Sequence, residues 1–329
     1  MSKKTFSKRI IAAAVVGVAA LIVAGCAGQS TPAASSEGSD GNELTPVSVA
    51  LVKVAGSAPV FIADQEGFFE AEGLDVTIRE VPGPAAVAAL QSGEVQFASL
   101  GASVVVTALT QNVPLVVVSG RTETAQSDDT DDTAMLVMPD SGITDAADLD
   151  GLTVGTQTLT SQNTVMARAA IDNLGGDSKS IDWVDIPLPD LMSALRSGSI
   201  KAAAASEPFA TTMEADGAVR LFGIGSNAFD APSPIGVIAT QQSFAAENQE
   251  TVAAFARAFS AAVEWANADE SRLRAALPDL VGLPEEHAKT MILPTFTDQV
   301  TADGLTALID ALKVHGLIDT EPDMKQLIP

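Results

Sequence analysis

"ALQSGEVQFASLGAS" at residues 89–103 and "ALRSGSIKAAAASEP" at residues 194–208 align without a gap at a spacing of 105. Ala89, Leu90, Ser92, Gly93 and Ala98 recur as Ala194, Leu195, Ser197, Gly198 and Ala203, and Val95 is matched by Ile200. Each copy predicts an amphipathic helix, a glycine C-cap and then a small-residue strand buried on both faces. One copy precedes an acidic stretch and one follows it, so the repeat divides the chain into two related α/β lobes. The register also places Glu207. Leu100, Gly101, Ala102 and Ser103 correspond to Ala205, Ser206, Glu207 and Pro208, which puts this carboxylate just past the carboxyl end of a parallel strand. Ligands bind at that edge in open α/β sheets, so two such edges facing each other would make a cleft with Glu207 on one wall.

Outward from the repeat, short β-rich runs alternate with helical segments of about ten residues, the pattern of a parallel sheet. Strands are predicted at 47–53, 74–81, 95–100 and 113–120, with helices at 58–69 (stopping near Gly67), 84–93 and 102–111. The acidic stretch "TETAQSDDTDD" (122–132) then interrupts the alternation. Strands follow at 134–138, 152–158, 180–187, 200–205 and 219–225, with helices at about 161–174, 189–197 and 209–216. A second loop, "SNAFDAPSP" (226–234), leads to a strand at 235–240. From Glu247 the chain reads as helix, with Val252, Phe255, Phe259 and Val263 forming a buried stripe.

The N-terminus has the form of a secretory signal: Lys3, Lys4, Lys8 and Arg9 precede the uncharged apolar run "IIAAAVVGVAALIVA" (10–24). That run is short for a stable span, which needs ~20 residues. The junction "VAGC" (23–26) resembles a bacterial lipobox, which makes Cys26 the expected lipidation site and residues 1–25 a cleaved lipoprotein signal peptide. Cys26 is the single cysteine of the chain, which excludes disulfides and a cysteine-based zinc cluster. The whole chain carries 42 acidic and 18 basic residues, a net charge of −24, and cleavage would remove four basic residues and no acidic one. So acidic a surface repels nucleic acid and anionic lipid, which leaves acyl chains on Cys26 to hold the protein at a membrane. Residues 26–45 contain little to bury and read as a flexible tether spanning on the order of 20 to 25 Å.

The stretches "APVFIADQEGFFEAEGLDV" (58–76), "AALQSGEVQFA" (88–98), "DLDGLTVGTQTLTSQNTVMARAAI" (148–171) and "SALRSGSIKAAAASEPF" (193–209) resemble one family. It is that of the ABC-transporter substrate-binding lipoproteins of the nitrate, sulfonate and taurine type, which also takes in proteins for thiamine-pyrimidine precursors. The resemblance covers about residues 46 to 320. It implies a two-lobed, periplasmic-binding-protein-like type II α/β fold with two crossover hinge strands. Lobe one would comprise 46–120 plus 236–329, lobe two 134–225, and the hinge crossovers 121–133 and 226–235.

The resemblance also implies a pocket built from four turns. They are "VAGSAP" (54–59) with Ser57 and the amide of Ala58, "GAS" with Gly101, Ala102 and Ser103, "TSQNT" with Ser161, Gln162, Asn163 and Thr164, and "SEP" with Glu207 and Pro208. The residue types agree with this. Ser57, Ser103 and Ser161 or Asn163 are N-cap types, and free helix N-termini converging on one cleft would hold an anion without a lysine. Each turn also has a plain reading, because serine and asparagine cap helices in proteins that bind nothing there. Glu207 either meets an amine or amide on the ligand or caps the helix that follows it. Arg121, entering the first crossover, is the best placed cation for an anionic ligand, with a surface salt bridge to the acidic loop as the alternative. Asp128, Asp129, Asp131 and Asp132 lack the spacing of a calcium loop, so a solvated, self-repelling hinge loop is expected and no metal site.

These readings lead to a membrane-tethered binding module, monomeric and without a cofactor, that closes on a small solute and presents it to an ABC permease with its ATPase. No catalysis is expected. The two histidines, His287 and His315, lie away from the four turns, there is no tyrosine, and no Walker-type phosphate loop is present. The rivals are an enzyme of thiamine-pyrimidine synthesis with the same fold, which would need a pocket histidine, and a ligand-sensing module. The solute preferred on sequence is a small organic one such as an alkanesulfonate.

Overall fold

The computed structural model describes residues 44–81 and 83–329. The expected signal peptide, Cys26 and the tether up to residue 43 lie outside the described residues.

The chain runs β1 (Thr45–Leu51), α1 (Ala58–Gln65), α2 (Phe68–Ala71), β2 (Leu74–Glu80), α3 (Gly83–Ser92), β3 (Phe97–Gly101), α4 (Ala102–Thr110) and β4 (Leu115–Glu123). After the first crossover come β5 (Thr133–Val137), β6 (Thr153–Thr156), α5 (Gln162–Asn173), β7 (Asp182–Asp185), α6 (Leu191–Ser197), β8 (Ala202–Ser206), α7 (Phe209–Ala215), β9 (Val219–Gly223) and α8 (Ile224–Ala228). The chain returns as β10 (Pro234–Gln241) and ends in α9 (Gln242–Glu247), α10 (Gln249–Ala268), α11 (Glu270–Val281), α12 (Glu285–Thr290), β11 (Thr295–Phe296) and α13 (Ala302–Val314).

Two sheets form, ordered β11-β4-β10-β3-β1-β2 and β7-β6-β8-β5-β9. Without the short edge strand β11 they are the same pattern, with β1, β2, β3, β10 and β4 standing where β6, β7, β8, β5 and β9 stand. The sequence repeat is this symmetry at its centre: α3 ends at Ser92 and α6 at Ser197, and β3 and β8 begin at Phe97 and Ala202. Gly93 and Gly198 both turn the chain with φ near +74° and +73°, a left-handed conformation that only glycine adopts at no steric cost.

The parallel pattern expected from sequence is corrected by the crossover strand in each sheet and by the short edge strand β11, which is antiparallel to β4. β10 runs antiparallel to β3 and β4, and β5 antiparallel to β8 and β9. Each of these strands has just crossed from the other lobe and so runs through its sheet in the opposite sense. The crossovers proper are shorter than expected at their first-lobe ends, because β4 continues to Glu123 and β10 begins at Pro234. The predicted strand 219–225 ends at Gly223, and part of the predicted loop 226–234 is the short helix α8.

Burial explains the alanine run. Ala202 and Ala204 face one apolar cluster, with Met135, Val154 and Val165, while Ala203 and Ala205 face another, with Leu191, Leu195 and Met213. Side chains this small let layers approach both faces of the strand. The C-terminal helices return to the first sheet, where Phe255 of α10 stacks on Phe97 with ring centroids 3.9 Å apart and packs against Phe69 at 4.9 Å. Burying each such ring stabilises the fold by about 1.5–3 kcal/mol. Phe255, Phe259 and Val263 are buried as the stripe predicts, with Val252 only partly so.

The acidic stretch departs from its expectation. Residues 126–130 are exposed, but Asp131 and Asp132 are buried. The Asp131 carboxylate accepts from the amide and hydroxyl of Thr133 (2.9 and 2.7 Å) and from the Ser226 amide (2.7 Å). Asp128 accepts from the Ser226 hydroxyl and the Asn227 side-chain amide. These acids start α8 and tie one crossover to the other, so their charge is spent on nearby backbone and side-chain donors. Thr124 and Ser233 add a second tie, with the Thr124 amide donating to the Ser233 carbonyl and the Ser233 amide to the Thr124 hydroxyl.

Candidate functional site

The carboxyl ends of β1, β3, β6 and β8 open on one cleft between the lobes, with a volume of about 410 Å³. This is the edge at which open α/β sheets hold ligands. Seven of the residues anticipated from sequence line it: Ser57, Gly101, Arg121, Ser161, Gln162, Asn163 and Glu207. Ala58, Ala102, Ser103, Thr164 and Pro208 do not. Ala58 and Ala102 are packed in the apolar core, and Pro208 precedes α7. The Thr164 hydroxyl is held by Thr156, Ser161 and the Thr158 carbonyl.

The helix starts do not work as the residue types suggest. Ser57 makes no cap, since its hydroxyl donates to the Val52 carbonyl at 2.9 Å. Gly101 is the N-cap of α4 and offers no side chain. The Ser103 amide in the first turn of α4 is taken by Gln162 Oε1, reaching across from α5 at 2.7 Å. Of the three, only Ser161 caps its own helix, accepting from the Thr164 amide at 3.3 Å. One amide of the α4 helix start is therefore already engaged within the protein.

Glu207 takes the structural option. Its carboxylate accepts from the amide and hydroxyl of Thr211 (3.0 and 2.8 Å) and from the Ile292 amide (3.3 Å), with Arg220 Nη2 at 3.8 Å. It is 1% exposed, and burial raises its pKa against the lowering effect of those bonds. The Glu207 carbonyl also accepts from the Ala55 amide at 3.1 Å, so this residue links the lobes through both its backbone and its side chain.

Arg121 corrects the surface-salt-bridge alternative. It is 7% exposed, and neither Nε nor Nη1 has a hydrogen-bond partner among the described residues. Its position comes from the sheet. Between β4 and β10, Thr122 pairs with Gly236 and Gly120 with Val237, which leaves Arg121 without a partner at a β-bulge. Bulges re-aim side chains next to functional sites. The guanidinium lies against two glycines: a Cβ on Gly236 would meet its Nη2 at 2.1 Å, and one on Gly56 would meet its Nη1 at 2.5 Å. Burial pulls the Arg121 pKa down to about 10, against the opposing pull of Asp132, so it stays cationic at neutral pH.

Asp132, also 7% exposed and in the cleft wall, is a residue that the sequence reading assigned to a solvated hinge loop. Burial first, then Asp131 and Glu207, push its carboxyl up to about 7, with Arg121 opposing. Its position directly before the apolar run of β5 was the signal that it points inward. Gly236 was legible too, since a glycine inside a strand marks a close approach. Further buried polar atoms without partners are Ser99 Oγ, Gln162 Nε2 and Asn163 Oδ1, all on residues lining the same cleft. Val52, Val54, Val87, Val104, Met166 and Ile235 supply its apolar wall. Orphaned polar groups clustered on one cavity beside an apolar wall are what a ligand of mixed character would satisfy.

A search of curated proteins finds no match. Solved structures share the fold. The periplasmic aliphatic sulphonate binding protein SsuA of Escherichia coli superposes with a TM-score of 0.70 at 20% identity, over 86% of this chain and 97% of that one. The alkanesulfonate-binding SsuA of Xanthomonas axonopodis pv. citri, bound to MOPS, gives 0.72 at 17% identity, over 87% and 98%. The periplasmic nitrate-binding protein NrtA of Synechocystis PCC 6803 gives 0.71 at 13% identity, over 86% and 84%. The family model described as NMT1/THI5 like matches residues 55–272, which take in both crossovers and most of the residues that line the cleft, and the chain therefore belongs to the NMT1/THI5-like family.

Proposed function

We propose that this chain is an extracytoplasmic solute-binding lipoprotein that closes on a small organic anion and delivers it to an ABC importer. The observation that carries the reading is Arg121: a buried guanidinium with unpaired N–H groups, aimed into a cleft between two lobes. Leaving a buried charge unpaired is costly, and an acidic ligand would remove that cost on binding. Neighbours of the same fold that bind sulfonates and nitrate support the class of solute. So does the chemistry of the wall. None of its residues is aromatic, so a pyrimidine would find no ring to stack on, and an apolar wall of this extent suits an alkyl chain better than a bare inorganic oxyanion. Closure of the lobes would hold the solute by hinge motion, with the closed state favoured by its contacts. The permease with its ATPase as partner, the lipid on Cys26 as anchor and a monomeric state complete the proposal.

The enzyme alternative would place a histidine in the cleft. The lining includes none, and His315 is buried against Asp172 while His287 lies near Thr212. A thermal-shift screen of alkanesulfonates, nitrate, bicarbonate and pyrimidine precursors tests the reading, since a ligand at 100 times its Kd adds about 2.7 kcal/mol of stability. Alkanesulfonates or related organic acids are expected to raise Tm. Stabilisation by pyrimidines alone would overturn the assignment.

A further inference from the structure

The chain has two histidines, and both stand where the C-terminal helices touch lobe two. His287 of α12 faces Thr212 of α7, with Nδ1 3.4 Å from the hydroxyl. His315, the C-cap of α13, faces Asp172 of α5, with Nδ1 4.0 Å from Oδ2. The helix that carries His315 joins the lobes. Leu305, Leu308, Ile309 and Leu312 of α13 share one apolar cluster with Val105 and Val106 of α4 and with Val165 and Ala169 of α5. α13 therefore packs on lobe one through α4 and β10 and on lobe two through α5. At its far end the imidazole is buried without a partner. Its side chain is 2% exposed and Nδ1 makes no hydrogen bond among the described residues, nor do Arg168 Nε and Ser178 Oγ nearby. The charged groups that face the ring are Asp172 and Arg168 on α5 and Lys179 in the loop that follows. Asp172 already accepts from the Ser178 amide at 2.8 Å, and Arg168 lies over the Trp183 ring. On the His315 side Lys313 pairs with Glu321, and neither α4 nor β10 carries a titratable side chain. Burial holds the His315 pKa below the ordinary histidine value, with Arg168 and Lys179 adding to the effect and Asp172 opposing it.

We propose that the His315 contact is an acid-released latch between α13 and lobe two, which on protonation of the imidazole lets the lobes part and loosens the hold on the solute. For its effect on the solute, the inference rests on the reading of the cleft as the solute site. A neutral imidazole fits the docked position, since it adds no charge to a buried contact that already holds a guanidinium and has an ammonium group near it. Protonation puts a third cation there, against one partly engaged carboxylate. With the last turn of α13 undocked, the same imidazolium is solvated. The C-terminus of α13 favours a cation in both states, because the ring leaves with its own helix. The docked state thus has the lower pKa, and a fall in pH through the ordinary value of about 6.5 favours the undocked one. Between about pH 7.5 and about pH 5.5 a single histidine can shift that equilibrium by at most about tenfold. α13 cannot keep its packing on both α4 and α5 when the lobes part, so docking favours the enclosed cleft and release favours the open one.

Hydrogen exchange of the intact protein at about pH 7.5 and about pH 5.5, corrected for the intrinsic pH dependence of exchange, tests the latch without any solute. The amides of residues 308–318 are expected to exchange at least about threefold faster at the lower pH. In H315N, which keeps an uncharged polar group where Nδ1 stands, the corrected rates should be equal at the two pH values. Titration calorimetry with propanesulfonate tests the coupling to the cleft. Between the same pH values the unaltered protein should lose at least about threefold in affinity relative to H315N, a comparison that cancels the groups common to both, Asp132 among them. Exchange that ignores pH in the unaltered protein would overturn the proposal, and that measurement needs no variant. A response that survives in H315N would overturn it too. Faster exchange with an unchanged affinity ratio would overturn the link between latch and cleft. If propanesulfonate binds at neither pH while the exchange response is present, the solute-site reading has failed and the latch stands.

Discussion

The guanidinium of Arg121 occupies the space that a side chain on residue 236 would fill, because a Cβ on Gly236 would lie 2.1 Å from Nη2. A strand glycine on the chain returning from the second lobe thus makes room for a cation on the strand leaving the first. The two lobes' connections and the buried cation of the cleft are in this way one piece of geometry.

G236A tests that relationship. Gly236 does not have positive φ, so the backbone accepts alanine and the cost falls on the arginine. The expected outcome is a folded protein whose guanidinium is displaced and whose affinity for organic anions drops at least about tenfold, a loss of roughly 1.4 kcal/mol. Calorimetry with an alkanesulfonate that stabilises the unaltered protein measures it; unchanged affinity would show that Arg121 does not hold the anion.

R121M should separate binding from stability. Replacing an unpaired buried charge by an apolar side chain of similar length removes a desolvation penalty, so the ligand-free variant is expected to melt no lower than the parent. Its Tm should no longer respond to organic anions. A lower ligand-free Tm would mean that the guanidinium supports the fold, contrary to its unpaired N–H groups.

Asp132 predicts a pH-dependent stability of definite sign. Its pKa rises from 3.8 to about 7 on folding, so the native chain holds a proton that the unfolded chain releases across that window. Stability contributed by this group therefore falls as pH rises through the window, and the penalty is complete above about pH 7. The ligand-free D132N protein should melt above the parent at mildly alkaline pH, with the gap narrowing on acidification toward the unfolded-state pKa. Melting curves across that range check it, and a gap independent of pH would contradict it.

Glu207 should behave as a structural residue. E207A strands the Thr211 and Ile292 amides, and an unsatisfied buried donor costs about 1–3 kcal/mol. A clear drop in Tm is expected, larger than any loss of solute affinity. The reverse ranking, intact stability with lost affinity, would return Glu207 to the ligand.

The sequence by itself determined the architecture. The repeat at a spacing of 105, with its two glycine-terminated helices and small-residue strands, fixed two related α/β lobes and put residues 101–103 and 206–208 at equivalent strand ends. Such features are local: a helix stop, a buried strand and a two-residue period are written in neighbouring side chains. What only the tertiary structure decided is where each polar group finds a partner. Serines at helix starts looked like ligand donors, yet Gln162 reaches over from the other lobe to take the Ser103 amide, and Ser57 turns back to Val52. Glu207 found Ile292, and the acidic stretch found the start of α8, all far away in sequence. Arg121 and Asp132 became the buried charges of the cleft for the opposite reason: folding supplied the neighbouring acids with donors from distant segments, while Arg121 Nε and Nη1 were left without an acceptor and the Asp132 carboxylate without a side-chain donor. Satisfaction of buried polar groups depends on contacts between segments distant along the chain, and a single sequence does not record those distances.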